Sequence, residues 1–256
     1  MKILASDYDN TLKRKKVSKA DIAAINKFRE EGNKFGIVTG RSINMIKGAL
    51  RHYHIKYDFI IGINGGITLD NKGKILDYHP IDFQTALNII ADLRRLHNDI
   101  SGFSDGIAFT RIANKITPLN LTRAFVMGLR TTSQKKILSS KNIAFFFTLN
   151  DNQAKVTEIY EHFSNNYDDI SVVRNGLDVV DISALGVNKA NAMRFVANYY
   201  DCQQVYVIGD SVNDLDMIKE FNGFAIDLAE DIVKQAASAI FSNFSEMFDY
   251  IKNKQR

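Results

Sequence analysis

The amino-acid sequence predicts an α/β fold in which a doubly wound parallel sheet is interrupted by an inserted α+β module. Short apolar runs alternate with helix-length amphipathic segments near both ends of the chain, which predicts the sheet. Three of these runs end at a polar residue, Asp7, Thr39 or Asp210. The alternation stops after Gly66 and resumes only near Asn188, which predicts the insert. Since ligands bind at the carboxyl ends of such strands, we expect the three polar residues to share one edge.

The N-terminal part of the chain begins the sheet. Ser18 is placed as the N-cap of the first helix and Gly32 as its stop. A turn of Asn and Gly residues then separates two short apolar runs and predicts a hairpin. The predicted elements are strands at 3–6, 35–38 and 59–63, helices at 18–31 and 42–52, and hairpin strands at 67–69 and 74–76.

The middle of the chain mixes helices and strands without a regular alternation, which predicts a separate α+β module. Its predicted helices are 85–97 and 153–163, and its predicted strands include 144–149, 171–174 and 179–182. The alternation then resumes with helices at 188–200, 214–220 and 231–237 and strands at 205–208 and 224–226. We expect the sheet domain at 1–82 and 184–256 and the insert at 83–183.

The composition excludes several classes of protein. With 45% hydrophobic and 24% charged residues, the sequence is that of an ordinary globular domain. The net charge of +4 is small, and the one dense basic run, 13–16, is typical of a solvated turn, so we expect no nucleic-acid partner. Cys202 is the single cysteine, which fits a reducing compartment. Neither a signal peptide nor a membrane-spanning apolar stretch is recognisable, so the prediction is a cytoplasmic protein without a membrane anchor.

Two acidic segments each follow an apolar strand of the predicted sheet. Asp7 and Asp9 come directly after the first strand, and residues 209–214 (Gly-Asp-Ser-Val-Asn-Asp) follow the strand at 205–208. Clustered carboxylates repel one another unless a cation or a proton neutralises them. Oxygen ligands of this kind suit Mg²⁺, which binds through one or two carboxylates plus substrate phosphate. A solvated loop would explain the first segment alone, but the second segment follows another apolar strand and opens a helix, and the two together predict a cation site.

Four motifs carry a more specific resemblance. They are residues 7–12 (Asp-Tyr-Asp-Asn-Thr-Leu), Thr39 within 38–41, Lys189 within 186–189, and residues 209–214. In this order and structural context they resemble the motifs of phosphatases of the haloacid dehalogenase (HAD) superfamily, of the Cof-like group with a type IIB cap. The segment 63–66 and its hairpin are also similar to the passage before that cap. The resemblance implies a HAD-type Rossmann-like core, with the insert at 83–183 as a C2B cap.

The resemblance also implies a mechanism. Asp7 would be the nucleophile that forms an aspartyl-phosphate, and Asp9 the general acid and base. Lys189 would supply positive charge to the nucleophile and the phosphoryl group. Mg²⁺ would be held by the Asp7 carboxylate, the main-chain carbonyl of Asp9 and the Asp210 carboxylate.

Further residues are implied around this centre. Asn213 and Asp214 would orient the ligands, and phosphate would be bound by Tyr8, Thr39, Gly40, Arg41, Lys189 and Asn213. The cap would close over the site and set specificity. Asp105, Arg111 and Arg130 are candidate substrate contacts there, although a structural role is favoured for each.

The sequence departs from the family pattern at two places near these motifs. Asn10 stands where glycine is usual, and Asn is the residue that best replaces glycine at positive φ. Residues 225–229 (Ala-Ile-Asp-Leu-Ala) replace the usual Ala-Met-Gly-Asn-Ala, with Asp227 and Leu228 at the altered positions. The hypothesis is that these changes alter substrate fit or turnover and leave the type of reaction unchanged.

The sequence leaves three functions open besides hydrolysis of small phosphorylated metabolites, for which sugar phosphates are the leading class. A phosphotransferase or phosphomutase would pass the phosphoryl group from Asp7 to an acceptor. A receiver-like signalling module would use the same strand-end Asp, Thr and Lys, but Asp9 and the long insert argue against it. A binding protein without catalysis is the least favoured, because Asp7, Asp9, Lys189 and Asp210 are all present.

Overall fold

The structure is a computed structural model that describes residues 1–96, 100–112 and 132–253. His97, at the end of a predicted helix, and Arg130 lie outside the described residues. Contacts divide the chain into two compact units. The first, the core unit, comprises residues 1–40, 48–76 and 188–256, and the second, the inserted unit, comprises 41–47 and 77–187.

The core unit is built on an eight-stranded sheet, which confirms the predicted α/β class. Its strand order is β13-β12-β11-β1-β2-β3-β4-β5, and the strands from β13 to β3 are parallel. Numbered in chain order, the strands are β1 (Ile3–Ser6), β2 (Lys34–Val38), β3 (Phe59–Gly62), β4 (Ile67–Asp70), β5 (Ile75–Tyr78), β11 (Val205–Gly209), β12 (Phe224–Ile226) and β13 (Ala239–Phe241). The chain runs outward from β1 in one direction, then returns to β11 and runs outward in the other, so the strand order reverses between β1 and β11.

The helices begin and end where local signals place them. Ser18 caps the first helix by accepting a hydrogen bond from the N–H of Asp21, and Gly32 follows its end with φ 83°. In chain order the helices are α1 (Lys19–Glu30), α2 (Ile43–His52), α3 (Phe83–Arg95), α4 (Gln134–Ser140), α5 (Gln153–Asn166), α6 (Lys189–Tyr199), α7 (Leu215–Glu220), α8 (Asp231–Ala236) and α9 (Phe244–Asn253). In the described ranges, no helix has the length and hydropathy needed to cross a bilayer.

The inserted unit is an α+β module, as the sequence predicts. Its five-stranded antiparallel sheet has the order β7-β6-β8-β10-β9. Apolar side chains from the sheet and from α3 and α5, among them Ile89, Phe103, Phe146 and Ile159, form its core. The strands are β6 (Ile100–Ser104), β7 (Phe109–Ile112), β8 (Phe145–Leu149), β9 (Ile170–Asn175) and β10 (Val179–Ala184).

Some predicted elements differ from the observed ones. The strand predicted to end at Ile63 ends at Gly62, because Ile63 turns to a positive φ of 44°. The helix predicted at 214–220 is divided into a 3₁₀ turn at 212–214 and α7. The strands β6, β7 and β13 and the helices α4 and α9 were not predicted individually. Strand β6 (Ile-Ser-Gly-Phe-Ser) illustrates the reason, since Ser and Gly have low strand propensity.

Candidate active site

The candidate site lies at the carboxyl ends of the central parallel strands. Asp7 directly follows β1, and its main-chain N–H donates to the carbonyl of Ile208 in β11 at 2.9 Å. Asp210 directly follows β11, so both aspartates lie at the point where the strand order reverses. Thr39 follows β2, and its N–H donates to Ile61 of β3 at 2.9 Å. The single edge predicted for these residues is therefore where the parallel strands bring them.

Lys189, the first residue of α6, joins the motifs through its ammonium group. The side chain is 1% exposed, and Asn188 before it caps the helix. Nζ lies 2.7 Å from Oδ1 of Asp7, 2.7 Å from Oδ1 of Asp214 and 3.4 Å from Oδ1 of Asn213. An ammonium has three protons to donate, so these three acceptors satisfy it completely.

Asp214 is completely buried, and its carboxylate binds both Lys189 and the loop that carries Asp210. Its Oδ2 accepts the main-chain N–H groups of Asp210 at 3.0 Å and Ser211 at 3.1 Å, while Oδ1 accepts from Lys189. Gly209 makes room for this carboxylate, because a Cβ there would lie 2.4 Å from Cγ of Asp214. Both carboxylate oxygens are thus occupied in fixing the loop that carries Asp210.

Asp210 is itself held by two hydroxyl groups. Thr11 donates to Oδ1 at 2.5 Å, and Ser211 donates to Oδ2 at 3.0 Å. Neither residue has a predicted role, although Thr11 belongs to the first motif and Ser211 to the last. The sequence signal for these contacts is weak: Thr11 lies four residues after Asp7, and Ser211 lies one residue after Asp210.

The electrostatics of this cluster are unbalanced. Carboxylate oxygens of Asp7, Asp210 and Asp214 lie within 4.8 Å of one another, and Lys189 is the ammonium that contacts two of them. Burial, together with the charges of Asp214 and Asp210, raises the pKa of Asp7 well above its usual value, although Lys189 opposes this shift. Burial also raises the pKa of Asp210. For Lys189 burial acts against the charge, but the two carboxylates outweigh it and raise the pKa of the ammonium.

The residues present fit a hard divalent cation. Three ionised carboxylates and one ammonium leave two negative charges, and an all-oxygen set of ligands suits Mg²⁺ or Ca²⁺. Asp214 has no exposed surface, and its carboxylate already accepts from Lys189 and from two main-chain N–H groups. Asp7 and Asp210 are each 6% exposed, so these two carboxylates are better placed to bind an ion.

The chain matches the haloacid dehalogenase-like hydrolase family over residues 4–246. It belongs to this family. The match confirms the resemblance drawn from the four motifs, and a hydrolase is the activity that the family indicates.

Relatives and solved structures agree with this assignment. The 5-amino-6-(5-phospho-D-ribitylamino)uracil phosphatase YcsE of Bacillus subtilis is 25% identical over 245 residues, covering 94% of this chain and 89% of YcsE. A haloacid dehalogenase-like hydrolase from Bacteroides thetaiotaomicron has a TM-score of 0.84 at 20% identity, covering 98% of this chain and 99% of the other. A HAD subclass IIB sugar phosphatase has a TM-score of 0.80 at 18% identity, covering 100% and 99%. At these identities the structural likeness shows the fold.

The remaining predicted residues of this HAD-family hydrolase occupy different environments. Asp9 is half-buried, and Asn10 next to it has φ 59°, which confirms that Asn supports a left-handed turn here. The side chain of Tyr8 is completely buried, so a contact of Tyr8 with phosphate would have to come from its main chain. Gly40 adjoins Asn64, whose Oδ1 would lie 3.1 Å from a Cβ at that position.

Three of the predicted residues belong to the inserted unit. Arg41 is half-buried. Asp105 accepts the main-chain N–H groups of Ile107 at 2.9 Å and Ala108 at 2.7 Å, which is the structural role favoured for it. Arg111 is half-buried in β7, and its Nε, buried, has no hydrogen-bond partner among the described residues. Their roles in substrate binding stay predictions.

Proposed function

We propose that this protein is a Mg²⁺-dependent phosphatase that hydrolyses small phosphorylated metabolites through an aspartyl-phosphate on Asp7. The observation that carries the proposal is the pairing of Asp7 with the buried ammonium of Lys189 beside two further buried carboxylates. Such a cluster has a nucleophile, a fixed positive charge and a surplus of negative charge for a cation. Membership of a hydrolase family and relatives named phosphatases support the same reading.

The chemistry divides among residues of the core unit. A carboxylate oxygen of Asp7 attacks phosphorus, and the bond from phosphorus to the leaving oxygen breaks as Asp9 donates a proton to that oxygen. Asp9 then accepts a proton from the water that hydrolyses the aspartyl-phosphate, which releases phosphate and regenerates Asp7. Lys189 offsets the negative charge that accumulates on the transferring group.

A Mg²⁺ ion would be held by the carboxylates of Asp7 and Asp210 and by the main-chain carbonyl of Asp9. When bound, it supplies positive charge that lets an anionic nucleophile and an anionic substrate approach each other. The hydroxyls of Thr11 and Ser211 fix the Asp210 carboxylate for this purpose.

Phosphate oxygens would be bound by groups around the same strand ends. Thr39, the main chain at Gly40 and Tyr8, and the Asn213 amide are proposed for this role, and the role of Arg41 stays a sequence-based proposal. Asp214 orients Lys189 and the Asp210 loop. The segment 83–183 is proposed to act as the cap that sets specificity.

The substrate class comes from the resemblance and from the relatives. One relative is named for a ribitylaminouracil phosphate, and one structural neighbour is described as a sugar phosphatase. Both names refer to small phosphorylated molecules with a sugar or sugar-alcohol part. We therefore propose sugar phosphates or related polyol phosphates as substrates, in the cytoplasmic location that the single cysteine suggests.

The test is phosphate release from a panel of phosphomonoesters in Mg²⁺ or in EDTA. The panel contains sugar, nucleotide, pyridoxal and flavin phosphates and is run with wild type, Asp7→Asn and Asp58→Asn. We expect Mg²⁺-dependent release by wild type and Asp58→Asn, and a loss of roughly 10⁴-fold or more in Asp7→Asn. Asp58 is a matched control, since it is a buried aspartate that directly precedes β3 of the same sheet and is paired with Arg29.

The alternatives give different results. Release that requires an added acceptor alcohol would favour a phosphotransferase or phosphomutase. A stable phosphorylated Asp7 without turnover would favour a receiver-like module. No phosphorylation and no release with any substrate would contradict the proposed function.

A further inference from the structure

The turn that follows β3 has an unusual backbone. Ile63, Asn64 and Gly65 have φ values of 44°, 56° and 112°, three positive values in succession. Glycine and asparagine tolerate this region, but for a β-branched residue such as Ile63 it is a genuine outlier. Strain of this kind persists only where the surroundings over-determine it, and it concentrates at functional sites.

The surroundings of the turn fix it on two sides. The N–H of Asn64 donates to the carbonyl of Thr39 at 3.0 Å, which ties the turn to the end of β2. Gly65 approaches the start of α6 so closely that a Cβ would lie 2.4 Å from the carbonyl oxygen of Asn188. The side chain of Ile63 is buried, with 1% exposure, and anchors the turn. The turn therefore has one position relative to Thr39 and Lys189, which both belong to the candidate site.

The Asn64 side chain extends this arrangement to Lys189. Its Oδ1 accepts a hydrogen bond from Nδ2 of Asn213 at 3.2 Å, and Oδ1 of Asn213 accepts from Nζ of Lys189 at 3.4 Å. An amide has a donor end and an acceptor end, so the bond from Asn64 determines which end of Asn213 faces the ammonium.

We propose that Asn64 is a positioning residue, which holds the Asn213 amide with its oxygen toward Lys189 and so completes the coordination of the catalytic ammonium. The strained turn at 63–65 is the means by which Asn64 reaches this position. The inference rests on the proposed function, because it assigns Asn64 a part in the same phosphoryl transfer.

Loss of the Asn64 side chain has a defined consequence for Lys189. Without its acceptor the Asn213 amide is free to rotate, and the longest of the three bonds to Lys189 is lost first. The ammonium keeps its two bonds of 2.7 Å to Asp7 and Asp214, so the fold and the pairing persist. The effect therefore falls on kcat, through the charge presented to the transferring group, more than on stability.

The test is Asn64→Gly, since glycine retains the positive φ and removes only the side chain. The matched control is Asn222→Gly, which makes the same change at another left-handed position, φ 46°, in the core unit. For Asn64→Gly we expect kcat to fall about three- to tenfold, as for the loss of one hydrogen bond, with Tm close to that of Asn222→Gly. Asn222→Gly is expected to keep wild-type kcat.

A double-mutant cycle with Asn213→Ala separates positioning from a general structural effect. If Asn64 acts through Asn213, the double variant is no slower than Asn213→Ala alone. Equal kcat for Asn64→Gly and Asn222→Gly, or a further three- to tenfold loss on top of Asn213→Ala, would overturn the inference. Absence of Mg²⁺-dependent phosphate release in wild type would instead refute the proposed function, so the two failures are distinguishable.

Discussion

The two ends of the parallel sheet in the core unit both contain ion pairs that involve buried carboxylates. Carboxylates outnumber cations at the carboxyl end, and cations outnumber the carboxylate at the amino end. At the carboxyl end, the carboxylates of Asp7, Asp210 and Asp214 cluster around Lys189. At the amino end, Asp58, which directly precedes β3, is the single carboxylate between two cations. It lies 2.8 Å from Nε of Arg29 and 3.6 Å from Nζ of Lys34.

The difference in balance changes the behaviour of the aspartates. Burial acts on Asp58 as it does on Asp7, but hydrogen bonds from Arg29 and from the N–H of Phe35 outweigh it and lower the pKa of Asp58. The pKa of Asp7 is raised instead. The carboxylate at the amino end is neutralised by its two cationic neighbours, whereas the three carboxylates at the carboxyl end outnumber the ammonium of Lys189. Groups perturbed in this way mark a functional site more often than a structural one.

Replacing one lysine at each end of the sheet should give the largest difference in the free energy of unfolding. Lys189→Met leaves two buried carboxylates without their partner, and the loss of one member of such a buried pair costs about 3–5 kcal/mol. Lys34→Met costs at most about 1 kcal/mol, because Asp58 keeps Arg29 and the side chain of Lys34 is 33% exposed. Thermal unfolding in EDTA measures both. Equal losses in the two variants would contradict the proposed difference between the ends.

The substitution Gly209→Ala should displace the Asp214 side chain of the carboxyl-end cluster. The new Cβ would meet the Asp214 carboxylate at 2.4–2.5 Å, so Asp214 must move away from Lys189 and the Asp210 loop. Overpacking of this kind costs about 1–3 kcal/mol, and phosphate release should fall with it. Gly48→Ala in α2 is the control, because nothing lies within 4 Å of its Cβ and alanine favours a helix. A Gly209→Ala enzyme with wild-type Tm and activity would show that the position of Asp214 is unimportant.

Asp58→Asn should destabilise the protein in a pH-dependent way. A carboxyl whose folded pKa is depressed stabilises the fold above its unfolded value, 3.8, and that stabilisation is lost as the pH falls through the folded pKa. We expect a cost of about 1–2 kcal/mol at pH 7 from weakened charge-assisted hydrogen bonds. The difference in Tm between variant and wild type should narrow below about pH 4. A difference that stays constant down to pH 3 would mean that Asp58 acts by shape and not by charge.

The sequence predicted most of the core unit and the positions of the motifs. Asp7, Thr39 and Asp210 end three apolar strands, and parallel topology alone then brings them to one edge. The contact of Thr11 with Asp210 could not be predicted, because it joins residues 199 positions apart through a side-chain rotamer. Nor could the bond between Asn64 and Asn213, which are 149 positions apart.

The strand propensity of Ile63 led to a wrong prediction of the end of β3. Ile63 continues an apolar, β-branched run that favours a strand, but contacts of the turn with Thr39 and Asn188 override that preference. The strand therefore ends one residue earlier than predicted, at the start of the turn that carries Asn64. The effect of the altered residues Asp227 and Leu228 on substrate fit or turnover remains a sequence-based hypothesis. The side chain of Leu228 is 69% exposed.

The most direct test of the account is the effect of Mg²⁺ on Tm in wild type, Asp210→Asn and Asp58→Asn, with NaCl at matched ionic strength as the reference. At tenfold excess over its Kd, an ion that binds only the folded state adds about 1.4 kcal/mol, or about 3–5 °C for a chain of this size. We expect this rise for wild type and Asp58→Asn and little or none for Asp210→Asn. No rise in wild type, or an equal rise in Asp210→Asn, would contradict the claim that the carboxyl-end cluster is built to hold a cation.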